Sequence, residues 1–147
     1  MVKSINNELI YSAISHHINH FLNVKKLVKH DYESHMILLT VYSHFLFQTM
    51  SKNKSLDWSE TFAETETKEH KQLMQERKLT IFAVSESLLM PLETVRRKLE
   101  KLGSRKLLYY SKSEGLSLGK KFRETIEPLG KADGKNIFAL LEKFKKA

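Results

Sequence analysis

Two side chains of opposite charge, Glu93 and Arg97, stand four positions apart in the chain. Arginine can donate two hydrogen bonds to O6 and N7 of guanine, and glutamate can accept one from N4 of cytosine. On the outer face of a helix, these two residues could therefore read base edges in a DNA groove. The same spacing also fits an ordinary surface ion pair, which stabilises a helix by only about 0.2–0.5 kcal/mol.

Positive charge is concentrated around this pair. Between Pro91 and Lys112, seven basic residues stand against two glutamates, whereas five acidic residues stand against one lysine between Asp57 and Glu69. The whole chain of 147 residues has a formal net charge of +8. Segregated positive charge favours contact of the basic segment with a polyanion such as nucleic acid.

The predicted nucleic-acid contacts form two sets. The base-reading set lies on the outer face of one predicted helix and consists of Glu93, Thr94, Arg96 and Arg97. The phosphate set consists of basic residues whose individual identities matter less, because backbone contacts position a protein without reading sequence. Its members are Lys98, Lys101, Arg105, Lys106 and Lys112. The charge of Arg96 also suits a phosphate contact.

A helix, a tight turn and a second helix are predicted to present these side chains. Thr80 is a favourable N-cap for the first helix, and Pro91 both ends it and fits the first turn of the second. The second helix spans residues 91–102, and Gly103 is predicted to stop it. Its inner face is an apolar stripe at helical spacing, formed by Leu92, Val95, Leu99 and Leu102.

A β-hairpin is predicted to follow, over residues 107–118, with a polar turn that ends in Gly115. Tyr109 and Tyr110 in its first strand could stack on the bases of a single-stranded nucleic acid. Successive strand residues point to opposite faces, so the simpler expectation places one tyrosine in the core and the other on the surface.

The segment PLETVRRKLEKL, residues 91–102, resembles the recognition helix of bacterial winged helix-turn-helix transcription regulators. Its E-T-V-x-R core is similar to that of the CRP/FNR superfamily, and the hairpin with the following LSLGKKF resembles the MarR and GntR classes. The resemblance covers about forty of the 147 residues. It implies a sequence-specific regulator of double-stranded DNA, in which residues at the positions of Glu93 and Arg97 contact bases.

One position departs from that family pattern. Its turn usually contains glycine, whereas this chain has Leu89. A leucine in the left-handed conformation costs roughly 1–2 kcal/mol, so the sequence predicts either a differently built turn or a strained leucine. The region before Thr80 offers neither strands nor a glycine-rich phosphate cassette, so no cyclic-nucleotide-binding domain is expected.

The remaining segments are predicted to form a helical core. A first amphipathic helix runs from Ser4 to about Lys29, and a second, apolar on nearly every face, runs from a cap at Asp31 to about Met50. After the hairpin, a short helix over residues 120–126 is predicted to end near Pro128. A loop from Gly130 to Gly134 and a final amphipathic helix then follow.

The expected fold class is therefore mainly α with a small β-hairpin. The predicted organisation is an N-terminal helical region (1–55), an acidic linker or helix (56–78), a winged helix-turn-helix (79–130) and a C-terminal amphipathic helix (131–147). The two terminal regions offer more apolar surface than the winged segment can cover, and one recognition helix reads only a half-site. A homodimer is therefore expected.

Histidines in the N-terminal helices raise the question of a metal site. His16 and His20 lie one turn apart, and His30 and His35 lie near Asp31 and Glu33. These spacings match no established metal motif, and partly buried histidines are the commoner outcome. No metal or other cofactor is therefore predicted. The chain has no cysteine, nucleophile elbow, phosphate loop or HExxH sequence, so binding rather than catalysis is expected.

Several alternatives stay open from the sequence. A winged helix can also dock proteins, and a single-stranded or RNA-binding role would use the same charge. The family resemblance admits an effector pocket near Tyr42, Phe45, Trp58 and Phe62, but such residues are more often plain core, so no ligand is predicted. No apolar segment suits a signal core or a membrane span, which favours a cytoplasmic location.

Overall fold

The computed structural model describes residues 5–52, 60, 72 and 76–146. Within them the chain is mainly helical with one two-stranded antiparallel hairpin, which confirms the predicted fold class. In chain order the elements are α1 (Asn7–Asn23), a π-helical turn (Val24–Val28), α2 (Tyr32–Lys52), α3 (Ile81–Leu88), α4 (Leu92–Ser104), β1 (Leu108–Ser111), β2 (Gly115–Leu118) and α5 (Phe122–Lys146).

The chain forms two compact units. The terminal-helix unit comprises the residues up to Tyr32 together with those from Glu124 onward, and the central unit comprises Glu33–Arg123. Most of the predicted acidic linker, including Trp58 and Phe62, lies outside the described residues. Near its end, Gln72 and Glu76 are helical, as expected for a helix that leads into the helix-turn-helix.

Helix α2 supplies much of the buried apolar surface of the central unit. Ile37, Leu38, Val41 and Phe45 on this helix are at most 3% exposed. Near the end of α2, Thr49 Oγ1 donates a hydrogen bond to the Phe45 carbonyl at 2.9 Å, which satisfies a buried hydroxyl within the helix. The predicted second helix and its apolar character are therefore confirmed.

The terminal-helix unit pairs α1 with the C-terminal part of α5. Asn6 caps α1 by accepting a hydrogen bond from Leu9 N at 2.9 Å. His20 Nδ1 lies 2.6 Å from Asp133 Oδ2, and Lys143 Nζ donates to Ser12 Oγ at 3.0 Å. Because the residue near the start of α1 meets the residue near the end of α5, the two helices run antiparallel.

Helix α5 is continuous where the sequence predicted two helices and a loop. The predicted end near Pro128 and the predicted loop from Gly130 to Gly134 are wrong. Phe122, Ile126 and Leu129 are buried at spacings of four and three, so the helical period continues through the proline. A proline inside a helix costs about 3 kcal/mol, and each fully buried apolar side chain contributes about 1.5–3 kcal/mol. Burial of this stripe therefore outweighs the local preference for a break.

The turn between α3 and α4 contains the strained leucine that the sequence allowed. Leu89 has φ 52° and ψ 43°, and its side chain is 93% exposed. The N–H of Met90 donates to the Ser85 carbonyl at 3.1 Å, and Ser85 Oγ donates to the Met90 carbonyl at 2.6 Å. These two hydrogen bonds close the turn around Leu89 and fix its left-handed conformation.

Replacing Leu89 by glycine is expected to raise the free energy of unfolding by about 0.5–1 kcal/mol. Relief of the left-handed strain is worth about 1–2 kcal/mol, and the greater freedom of glycine in the unfolded chain offsets part of it. Urea denaturation measures the change. Glu86→Gly is the control, because it places glycine at an exposed position within α3 and should destabilise. A loss of stability in Leu89→Gly as large as in the control would contradict this explanation.

Candidate nucleic-acid interface

The helix-turn-helix is formed by α3 and α4, with the predicted cap at Thr80 and with α4 beginning at Leu92, one residue after the predicted start. Thr80 Oγ1 accepts a hydrogen bond from Ala83 N at 3.0 Å, and Pro91 is the N-cap residue of α4. Val95 and Leu102 are buried on the inner face of α4, while Leu92 and Leu99 are half-buried. This confirms the predicted apolar stripe and leaves the opposite face of α4 at the surface.

The end of α4 differs in detail from the prediction. The helix continues through Gly103 to Ser104, and the left-handed residue is Lys106, with φ 60°. The N–H of Lys106 bonds to the Gly103 carbonyl at 2.9 Å, and the N–H of Leu107 bonds to the Leu102 carbonyl at 3.0 Å. A lysine therefore occupies the helix-ending position that glycine usually takes. The buried Leu107 and Leu108 follow immediately and anchor the start of β1.

Three members of the predicted base-reading set share the outer face of α4. Glu93, Arg96 and Arg97 are exposed, and Thr94 is half-buried. Glu93 Oε1 lies 2.9 Å from Arg96 Nη1, so the ion pair joins Glu93 to Arg96 rather than to Arg97. An exposed pair of this kind contributes at most about 1 kcal/mol, so both side chains can exchange it for another partner. Among the described residues, Arg97 has no ion pair or hydrogen bond through its side chain.

Four members of the predicted phosphate set are exposed: Lys101, Arg105, Lys106 and Lys112. The fifth, Lys98, is turned toward the protein. Its side chain is only 13% exposed, and its Nζ lies 3.6 Å from Glu33 Oε1 at the start of α2. Position 98 follows the buried Val95 by three residues, which places it on the inner side of the helix. Lys98 therefore does not share the surface of the other four.

A basic stripe runs along α4 to its C-cap residue, Arg105. Arg97, Lys101 and Arg105 are exposed at intervals of four residues, so their side chains lie along one side of the helix. At about 1.5 Å of rise per residue, the stripe spans about 12 Å. A cation in the last turn also stabilises a helix through its macrodipole, which offers a structural role for Lys101. That role does not extend to Arg97 in the middle of the helix.

The hairpin forms within the predicted residues, but its tyrosines do not lie where the sequence predicted. Tyr109 pairs with Ser117, and Tyr110 pairs with Leu116. The expectation that one tyrosine is core is wrong, because Tyr109 and Tyr110 are 56% and 53% exposed. Leu108 and Leu116 already fill the buried face of this short hairpin, so Tyr110 lies at the edge of the core.

The tyrosines line a groove between α4 and the hairpin that the sequence did not predict. It encloses about 300 Å³. Its lining includes the apolar Leu99, Leu108 and Leu116 and the charged Arg96 and Glu100. The groove can accept an apolar or aromatic group beside one positive and one negative side chain. The two adjacent tyrosines were the available signal, but only the fold brings them beside α4.

The sequence also did not predict a second cation at the hairpin turn. Lys78 Nζ donates to the Lys112 carbonyl at 3.1 Å, which places two lysines at the tip. Their segments are joined where Leu116 N donates to the Leu79 carbonyl at 2.9 Å. Gly115 has φ 71°, and a Cβ there would lie 2.5 Å from the Leu79 oxygen, so this close approach requires glycine.

The histidines of the first helix make no metal centre with their predicted neighbours in the described structure. His20 pairs with Asp133, and Glu33 contacts Lys98 instead. Within residues 5–52, 60, 72 and 76–146, no group of three or more histidine, aspartate or glutamate side chains is arranged to hold a metal ion.

Over the same residues, every helix is too short or too polar to cross a membrane. No family model, curated protein or solved structure matches the chain.

Proposed function

We propose that this protein is a sequence-specific, double-stranded-DNA-binding transcriptional regulator. The observation that supports this most is the basic stripe of Arg97, Lys101 and Arg105 on the outer face of α4. An α-helix fits the major groove of B-form DNA, where each base pair presents a distinct pattern of donors and acceptors. Helix α4 has the required arrangement, because its inner face is buried and its polar face is accessible.

In the proposed complex, the exposed side chains of α4 contact different groups of the DNA. Arg97 has no competing partner among the described residues, so its guanidinium can form the two hydrogen bonds that identify guanine. Glu93 can accept from cytosine N4 after releasing Arg96, which then becomes free for a base or a phosphate. Thr94 is half-buried and lies at the border of the proposed contact surface.

The hairpin is proposed to contact the DNA backbone or minor groove beside α4. Lys112 and Lys78 bring two positive charges to its tip, and neither depends on a particular base. Contacts of this kind set the register of a protein on the duplex without reading sequence. They also make affinity fall with added salt, because each contacted phosphate releases counterions.

A second copy of the chain is proposed to cover the terminal-helix unit. Of the eighteen large apolar residues that are exposed in the described part of the chain, twelve belong to this unit. They are Ile5, Ile10, Tyr11, Ile14, Ile18, Phe21, Leu22, Leu27, Ile137, Phe138, Leu141 and Phe144. Large exposed apolar patches mark interaction surfaces, and a two-fold dimer would supply a second α4 for the other half-site.

A protein-docking role is the alternative that a specific observation favours. The apolar groove between α4 and the hairpin, bordered by Tyr109 and Tyr110, could accept an aromatic or aliphatic side chain of a partner protein. Such a partner would occupy the same surface as DNA. The two roles therefore differ in whether free protein selects particular duplex sequences.

Selection from a pool of random-sequence duplexes tests the proposed function. Repeated capture on the immobilised protein should enrich one motif, arranged as an inverted repeat with half-site centres about 10–10.5 base pairs apart or a multiple of that distance. Enrichment of a single half-site would support DNA reading but not the dimer. A pool that stays random after repeated rounds would contradict sequence-specific binding.

A further inference from the structure

Three lysines are brought together at the base of the hairpin by backbone contacts. Lys121 N donates to the Lys106 carbonyl at 2.9 Å, and Gly119 N donates to the Leu107 carbonyl at 2.9 Å. A Cβ at Gly119 would lie 2.2 Å from the Lys106 oxygen, so the chains approach this closely only because residue 119 lacks a side chain. Lys106, Lys120 and Lys121 therefore lie on one rigid corner of the central unit, which we call the hairpin-base cluster.

The hairpin-base cluster is unpaired within the described structure. All three side chains are exposed, and none forms an ion pair or hydrogen bond with a described residue. Lys120 and Lys121 directly precede α5, where the macrodipole disfavours positive charge, and Glu124 in the first turn offsets this only in part. Lys120 and Lys121 therefore do not stabilise the fold through their charge. Their mutual repulsion would fall if an anion bound between them.

The hairpin-base cluster continues the basic stripe of α4. The stripe ends at Arg105, and Lys106 is the next residue in the chain. From Arg97 onward, exposed cations thus occur along the helix and, after the left-handed turn at Lys106, at the hairpin base. The lysines at the hairpin tip, Lys78 and Lys112, lie at the other end of the two strands. A polyanion that can contact cations spread over a helix and a hairpin is a nucleic-acid backbone, with about one charge per 1.7 Å of duplex axis.

Resting on the proposed function, we infer that the hairpin-base cluster binds phosphates that flank the bases read by α4. The backbone would then be contacted at both ends of the hairpin, at the tip by Lys78 and Lys112 and at the base by Lys106, Lys120 and Lys121. Two separate contacts fix the orientation of α4 on the duplex better than one. They also predict a larger salt dependence than the tip alone would produce.

The test compares two double variants of equal charge. Lys120→Ala/Lys121→Ala removes two cations from the hairpin base, and Lys135→Ala/Lys146→Ala removes two exposed lysines from α5. Binding to a labelled random-sequence duplex is measured by fluorescence anisotropy across a salt series. The first variant should reduce the slope of log affinity against log salt by about two, since each phosphate contact contributes about 0.9. The control variant should keep the wild-type slope.

The outcomes separate this inference from the proposed function. If wild-type protein binds the duplex and the two variants have the same slope of log affinity against log salt, the hairpin-base cluster does not contact phosphate. This result would overturn the inference without contradicting the proposed function. If wild-type protein shows no salt-dependent duplex binding, both ideas fail. In parallel, vesicles containing phosphatidylserine are tested with the same variants. Loss of vesicle binding with an unchanged duplex slope would assign the cluster to a lipid surface and overturn the inference.

Discussion

Arg97→Ala is expected to lose about 1–3 kcal/mol of binding free energy on the preferred duplex, and to lose discrimination at one base pair. The Arg97 side chain is exposed in the middle of α4 and has no partner among the described residues. Its fork of donors is therefore available to guanine without the loss of an internal contact. Binding of wild-type and variant protein to the selected duplex, and to single-base changes of it, measures both effects.

Lys112→Ala is the matched comparison for Arg97→Ala. Lys112 lies at the hairpin tip, so its removal should weaken binding to all duplexes about equally and reduce the salt slope by about one. Both side chains are exposed, so both variants should melt within a few degrees of the wild type. If Arg97→Ala weakened all sequences equally, as Lys112→Ala should, Arg97 would be a phosphate contact. A large drop in melting temperature would show that Arg97 lies on the inner face of α4 and not on its outer face.

Phe138→Asp is expected to convert the proposed dimer to monomer at micromolar concentration. Phe138 lies on α5 and is 72% exposed, so a charge there should be tolerated in the isolated chain. In a dimer that covers this surface, the carboxylate would be removed from water without a partner. Such burial costs several kcal/mol, which weakens dimerisation by a hundredfold or more, at about 1.4 kcal/mol per tenfold. Sedimentation velocity measures the change.

The control for Phe138→Asp is Leu89→Asp. Leu89 is a more exposed apolar residue, but it belongs to the central unit and not to the terminal-helix unit. Leu89→Asp should leave the sedimentation coefficient of the dimer unchanged. Wild-type protein that sediments as a monomer while fully folded would remove the dimer proposal. Equal effects of the two substitutions would show that the terminal-helix surface has no special role.

The elements near the helix-turn-helix could be predicted because their local signals agree with burial. In α4, two signals indicate the same helix: the apolar stripe that contains Val95 and Leu102, and the proline at position 91. The residues on its outer face could therefore be predicted from helical spacing. Helix α5 could not be predicted in this way. Pro128 favours a break, and only burial of Phe122, Ile126 and Leu129 in the folded protein overrides it.

The candidate interface was predictable only where it lies on one element. The exposure of Glu93 and Arg97 follows from the period of α4. The position of Lys78 depends on its contact with Lys112, 34 residues later in the chain. The withdrawal of Lys98 similarly depends on Glu33 in α2, and the groove beside Tyr110 exists only between packed elements. Contacts of this kind have no signature in local spacing.

Duplex binding itself is the measurement on which the proposed function depends most directly. A labelled duplex and its separate single strand are titrated with full-length protein across a salt series, and affinity is read from fluorescence anisotropy. The duplex should bind more tightly, and log affinity should fall linearly with log salt. With Lys78, Lys101, Arg105, Lys106 and Lys112 as contacts, the slope per chain should be about −4.5, at about −0.9 per phosphate, and about −6 when Lys120 and Lys121 also contact phosphates. Equal or tighter binding of the single strand, or duplex binding without salt dependence, would contradict the proposal.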